Sequence, residues 1–137
     1  MAKESGITVA LSVDDSTGTL RDISNDITDF DVSLPRAEQD VTGLDKSAHE
    51  RILLLADFSI SLKGVYNDAS QKSHELFRTI PTQGSTAKRT VKIAVSGTTL
   101  VVESIFTEYA LARAASGELR YTAPGMLANG TAPVWSA

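Results

Sequence analysis

Cysteine is absent from this sequence. That excludes a disulfide framework, a thiol nucleophile and cysteine-ligated zinc or iron–sulfur, and it fits a reducing compartment. Histidine is scarce: His49 and His74 are the only two. Neither has a second histidine or a carboxylate at metal-ligand spacing, since the adjacent Glu50 and Glu75 would point elsewhere on a helix. No run of about 18 apolar residues occurs, so no helix is expected to span a membrane. The first residues lack the continuous apolar core of a signal peptide, which predicts a protein made and kept in the cytoplasm. No Gly-x-Ser-x-Gly elbow and no glycine-rich phosphate loop is present. Asp14-Asp15 and Asp29-x-Asp31 could meet a hard cation, but such sites need about six oxygen ligands from a shaped loop. The reading is therefore of no catalytic, cofactor-binding or metal-binding residues, and of a protein that is not an enzyme.

What remains is ordinary in amount and uneven in placement. Apolar residues make up 42% and charged residues 22% of the 137 positions, which suits one globular domain over residues 1–137. The net charge of −4 conceals a split. The window from Asp14 to Glu50 holds ten acids against three bases, so the rest of the chain has a surplus of three bases. An acidic surface repels phosphate and disfavours tight nucleic-acid binding.

Along the chain, Ile7, Val9, Leu11 and Val13 alternate with polar or small residues, the period of a strand with one buried face. Residues 14–18 form a turn cluster. Phe30, Val32 and Leu34 alternate with Asp29, Asp31 and Ser33, but Ile23 and Ile27 fall out of phase, which predicts a re-phasing bulge near Asn25–Thr28. The stretch 35–51 sustains no period and contains Pro35 and Gly43, so a long loop is expected, with a short helix conceivable over 46–55. Such a loop is either simply flexible or one that becomes ordered against a neighbouring subunit. Ile52–Ala56 is continuously apolar, and Phe58, Ile60 and Leu62 then alternate as a strand. A helix is predicted over about 68–80, with Asp68 and Gln71 as a capping pair and Pro81 as its stop. Val91, Ile93 and Val95 make the next strand, Ser96-Gly97 a tight hairpin, and 100–113 a long strand with a bulge. Leu119, Tyr121 and Ala123 return antiparallel. The sum is mainly β: an antiparallel sandwich or half-barrel with one flanking helix.

Three segments carry a resemblance. Ser12-Val13-Asp14-Asp15 is followed by Gly18-Thr19-Leu20-Arg21-Asp22. Asp40-Val41-Thr42-Gly43-Leu44-Asp45-Lys46 leads into Ala56-Asp57-Phe58-Ser59-Ile60. Phe106-Thr107-Glu108-Tyr109-Ala110-Leu111 precedes Arg113-Ala114-Ala115, and the chain closes through Leu127-Ala128-Asn129-Gly130 to Trp135. Together they resemble the major tail tube proteins of long-tailed bacteriophages. The resemblance implies hexameric rings that stack into a tube, with sheets of neighbouring copies joined into an inner barrel through which DNA passes without adhering. It implies tape measure, terminator and tip proteins as partners, and a place in the virion after assembly in the host cytoplasm. Arg36, Glu38, Asp40, Val41, Gly43, Leu44, Asp45 and Lys46 would form the inter-subunit loop. Asp29, Asp31, Glu103 and Glu108 are candidate lumen-facing acids. The competing reading is a monomeric β-sandwich binding module that recognises a protein or glycan, as at a tail tip.

Overall fold

Where side chains alternate, strands form. A computed structural model describes them over residues 5–136. The strands are β1 (Ala10–Asp14), β2 (Leu20–Asp22), β3 (Ile27–Ser33), β4 (Arg36–Asp40), β5 (Arg51–Ala56), β6 (Ser59–Val65), β7 (Arg89–Val95), β8 (Thr98–Phe106), β9 (Ala110–Arg113) and β10 (Leu119–Leu127). One helix, α1 (Ser73–Phe77), lies between β6 and β7. The main sheet is antiparallel in the order β2-β1-β7-β8-β10-β6-β3, with β9 also on β10; β4 and β5 form a separate two-stranded sheet.

The inner face of the main sheet holds the core. Leu11 and Val13 come from β1, Val91 and Ile93 from β7, Leu100, Val102 and Phe106 from β8, Tyr121 and Ala123 from β10, and Ile60 and Leu62 from β6. Helix α1 covers this face with Leu76 and Phe77; the Phe77 ring lies 5.2 Å from Phe106 and 5.9 Å from Tyr121. This is the expected mainly β architecture with one flanking helix. Among the described residues the sheet does not close on itself, because β2 and β3 end it without pairing to each other.

The expected bulge is present. Ser24–Asp26 form a turn of 3-10 helix, and the β3–β6 register slips between Ile27 and Asp29. That slip puts Phe30 and Val32 on the core side. The β7–β8 hairpin turns through Ser96 at φ 52 and Gly97 at φ 128, the left-handed pair a two-residue turn requires.

The helix is shorter than 68–80, because the expected capping pair is not formed. Gln71 sits at φ 66, a left-handed conformation that no helix interior allows. The cap comes from elsewhere in the chain: buried Asp26 accepts from Ser73 N at 3.0 Å and from Asn67 Nδ2 at 2.8 Å. Arg89, also buried, closes the other end by donating to Leu76 O, and to Asp14 O at 3.0 Å and Thr79 Oγ1 at 2.9 Å. Burial holds its pKa below the usual arginine value, although Asp15 and Asp14 oppose this.

Candidate assembly surface

The stretch 35–51 is not an unstructured loop, and no helix forms over 46–55. β4 and β5 pair with each other as an arm, Glu38 opposite Leu53, Gln39 opposite Ile52 and Asp40 opposite Arg51. No period marked it because an arm that stands off the core has no buried face, and every residue of β4 is exposed. Of the loop residues expected at an interface, Arg36, Glu38 and Asp40 lie on β4, while Val41, Gly43, Leu44, Asp45 and Lys46 form the tip. Arg36 Nε donates to Leu54 O at 2.9 Å and fixes the base of the arm. At the tip, Asp40 accepts from the Thr42 hydroxyl and, at 3.0 Å, the Thr42 amide, and its Oδ2 lies 3.0 Å from His49 Nδ1. These bonds, the Thr42 hydroxyl foremost, hold the Asp40 carboxyl below the usual carboxylate range. The partner of His49 thus lies nine residues earlier, across the hairpin, where a local spacing rule does not look.

The residues sequence reading left out are on β5. Ile52, Leu53, Leu54 and Leu55 are all exposed, Leu53 at 62% and Leu55 at 87%. Leu34 at the base and Val41 and Leu44 toward the tip extend the apolar surface. Beside the base lie Ala132 and Pro133, which with Leu34, Leu54 and Leu55 line one shallow pocket. The continuous run Ile52–Leu55 was the available signal: four consecutive aliphatics cannot all face one core from a strand.

Besides β2, which pairs only with β1, two edges of the main sheet are open among the described residues. β3 pairs only with β6, and β9 only with β10. Between them runs a four-strand stretch, β3-β6-β10-β9. Its outward face carries Asp29, Asp31 and Ser33 from β3, Ser59, Ser61 and Lys63 from β6, and Arg120 and Thr122 from β10. Asp29 and Asp31 are therefore neighbours on one exposed face. Glu103 sits further round on β8, half-buried and accepting from the Thr90 hydroxyl, and Glu108 lies exposed in the break between β8 and β9. The structure does not gather the four acids into one cluster.

The break at Thr107–Tyr109 is held by aromatic packing. The Tyr109 hydroxyl is 3.1 Å from His74 Nδ1, whose ring lies 4.8 Å from Tyr66. Burial, with Tyr66 adding to it, pushes the Tyr109 hydroxyl up to about 12. His74 thus serves to join α1 to the sheet. No group of three or more metal-ligating side chains occurs among the described residues, and no helix is long and apolar enough to cross a membrane. Trp135 pins the last residues to β8 by its backbone, bridging Leu100, while its ring remains 40% exposed.

No family model and no curated protein matches the chain. Solved structures do. The chain is similar to one in the virion of a native gene transfer agent particle, with a TM-score of 0.77 and 21% identity over 98% of this chain and 100% of that one. It is similar at the same TM-score and coverage, with 25% identity, to one in the tail of an empty gene transfer agent particle of C6 symmetry. The first likeness is one of fold. The second agrees with the resemblance carried by the sequence segments: from end to end, this chain resembles a phage tail tube protein.

Proposed function

We propose that this chain is the structural subunit of a phage-type tail tube. Copies join edge to edge into hexameric rings, β3 of one against β9 of the next, and the rings stack into a conduit for DNA ejection into the host. The observation that carries the reading is the combination of two open edges with an exposed aliphatic arm that its own chain leaves uncovered. A two-stranded hairpin is marginal by itself in water. Burying a Leu or Ile side chain contributes about 1.5–3 kcal/mol, so seating Ile52–Leu55 on a neighbouring copy supplies a substantial driving force. Pairing the open edges removes the row of unsatisfied N–H and C=O groups that an exposed strand presents. The sixfold symmetry of the similar tail supports the ring size.

In this reading Arg36, Glu38, Asp40, Val41, Gly43, Leu44, Asp45 and Lys46 make the contact between copies, together with Ile52–Leu55. Asp29 and Asp31 face the lumen. Tape measure, terminator and tip proteins are the further partners, the place of work is the virion after assembly in the host cytoplasm, and the role is structural rather than enzymatic. Negative-stain microscopy of concentrated protein tests this. Hollow tubes with sixfold end views are expected. A protein that stays monomeric at every concentration, alone and with tail initiator proteins, overturns the reading.

A further inference from the structure

The outward face of β3-β6-β10 has a charge arrangement that the total of −4 does not suggest. Arg120 Nε donates to Glu118 Oε2 at 3.0 Å, and its Nη1 donates at 3.3 Å to the Thr28 hydroxyl, whose one proton has two acceptors in reach, Asp29 Oδ1 at 3.1 Å and Lys63 O at 3.2 Å. The chain of contacts crosses all three strands. Lys63 stands directly opposite Asp29. Asp31 faces Ser61 instead, and neither Asp29 nor Asp31 comes within ion-pair distance of a base among the described residues. Glu118 is ion-paired with Arg120 and Asp29 has Lys63 as its cross-strand partner, whereas the cross-strand partner of Asp31 is uncharged. Most of the acids of the 14–50 window lie elsewhere, on the arm and in the loops around β1 and β2.

Resting on the tube reading above, geometry decides which face lines the channel. Six copies of a four-strand stretch at about 4.8 Å per strand give a circumference of roughly 115 Å and a bore of about 37 Å. A folded chain of this length is itself about that wide, so six bodies must lie outside the ring and the outward face inside.

We propose that this wall is charge-compensated, and that Asp31 alone sets its sign. Lys63 and Arg120 offset Asp29 and Glu118, leaving one unmatched acid per copy. A phosphodiester polymer then meets hydroxyls and paired charge, with one ring of Asp31 carboxylates per layer to repel it. The wall stands one charge reversal away from adhesion.

The test uses assembled tubes and a linear double-stranded DNA fragment, read as DNA protected from nuclease. Wild-type and Lys63→Gln tubes should protect almost none. Asp31→Lys tubes should protect DNA at low salt and release it as salt rises, falling by tenfold or more, as expected when several phosphates are neutralised. Because Asp31 lies on an edge strand, Ser61→Lys on the central strand of the face is the second variant, with the same expectation. The chain has no cysteine, so Ser61→Cys reports the geometry cleanly. In tubes it should react with a small maleimide and resist a bulky one; before assembly it should react with both. Reversed-charge tubes that protect no more DNA than wild type overturn the charge proposal, and a Ser61→Cys thiol open to the bulky reagent in tubes overturns the placement. Failure of the wild-type chain to form tubes is separate, and refutes the reading on which both rest.

Discussion

β5 and β6 follow one another in the chain and have opposite relations to solvent. In β6, Ile60, Leu62 and Gly64 are buried while Ser59, Lys63 and Val65 are exposed. In β5, five of six residues are exposed, four of them large aliphatics. The composition of β6 answers to its own core and to water. That of β5 answers to neither, and a strand with apolar side chains on both faces requires cover on both. On the proposed reading, the comparison separates residues that make the fold from residues that make the assembly, and each should be alterable without the other.

The largest effect expected is on assembly. Leu53→Asp with Leu54→Asp should abolish tubes while shifting the melting temperature of the monomer by only a degree or two, since both positions are exposed. Tubes that persist in that variant, under the microscope, would remove the arm from the contact. Deleting residues 39–47 should likewise block stacking and leave the circular dichroism of the body unchanged.

The converse comes next. Leu62→Ala removes a fully buried side chain and should cost about 2–5 kcal/mol in denaturant unfolding. At the neighbouring Gly64 a Cβ would overlap the Asp26 carbonyl, so Gly64→Ala should destabilise at least as much. Any surviving folded fraction should still assemble.

Asp26→Ala leaves the Ser73 amide and the Asn67 side chain without their buried acceptor. A loss of about 1–3 kcal/mol is expected, with the near-ultraviolet signal of the aromatic cluster changing first, because α1 is what Asp26 holds in place.

A smaller effect is pH-dependent. Burial alone would raise the Asp15 carboxyl, but hydrogen bonds from the Thr17 hydroxyl, the Thr19 and Thr17 amides and Arg21 outweigh it and hold the pKa well below the usual range. A depressed folded pKa gives stability that is present above the unfolded value near 4 and lost as pH falls toward the folded one. Asp15→Asn should therefore flatten the decline in stability below about pH 4, measured by denaturant midpoints across that window. Least of all, His49→Ala at the arm tip should leave the monomer's midpoint unmoved, because the pair it forms with Asp40 is solvent-exposed.

How much of this could be read from the chain follows the same division. β1, β6 and β7 were legible because each alternates against a single core face, and the Ser96-Gly97 turn because only a left-handed pair closes such a hairpin; Ile7, expected in the first strand, instead lies in a turn of 3-10 helix and is 90% exposed. The Asn25–Thr28 bulge showed as a phase error between Ile27 and Phe30. The extent of α1 was not legible: Asp68 and Gln71 have the right spacing for a cap, but the acid that caps the helix is Asp26, 47 residues before Ser73 and brought there by the fold. The arm was half legible. Its polar strand shows no period because both faces are wet, and its aliphatic strand looks like core until the structure leaves it uncovered. The pairing of Arg120 with Asp29 through Thr28 needs three strands in register, which no local pattern reports.

The central claim is that the arm's missing cover is another copy of the chain. Amide hydrogen exchange, compared between monomer and assembled protein, tests it most directly. The account predicts that residues 36–56 exchange fast in the monomer and become the most strongly protected segment on assembly, with β3 and β9 next and the buried strands β7 and β8 unchanged. Arm amides that exchange equally fast in both states would contradict it.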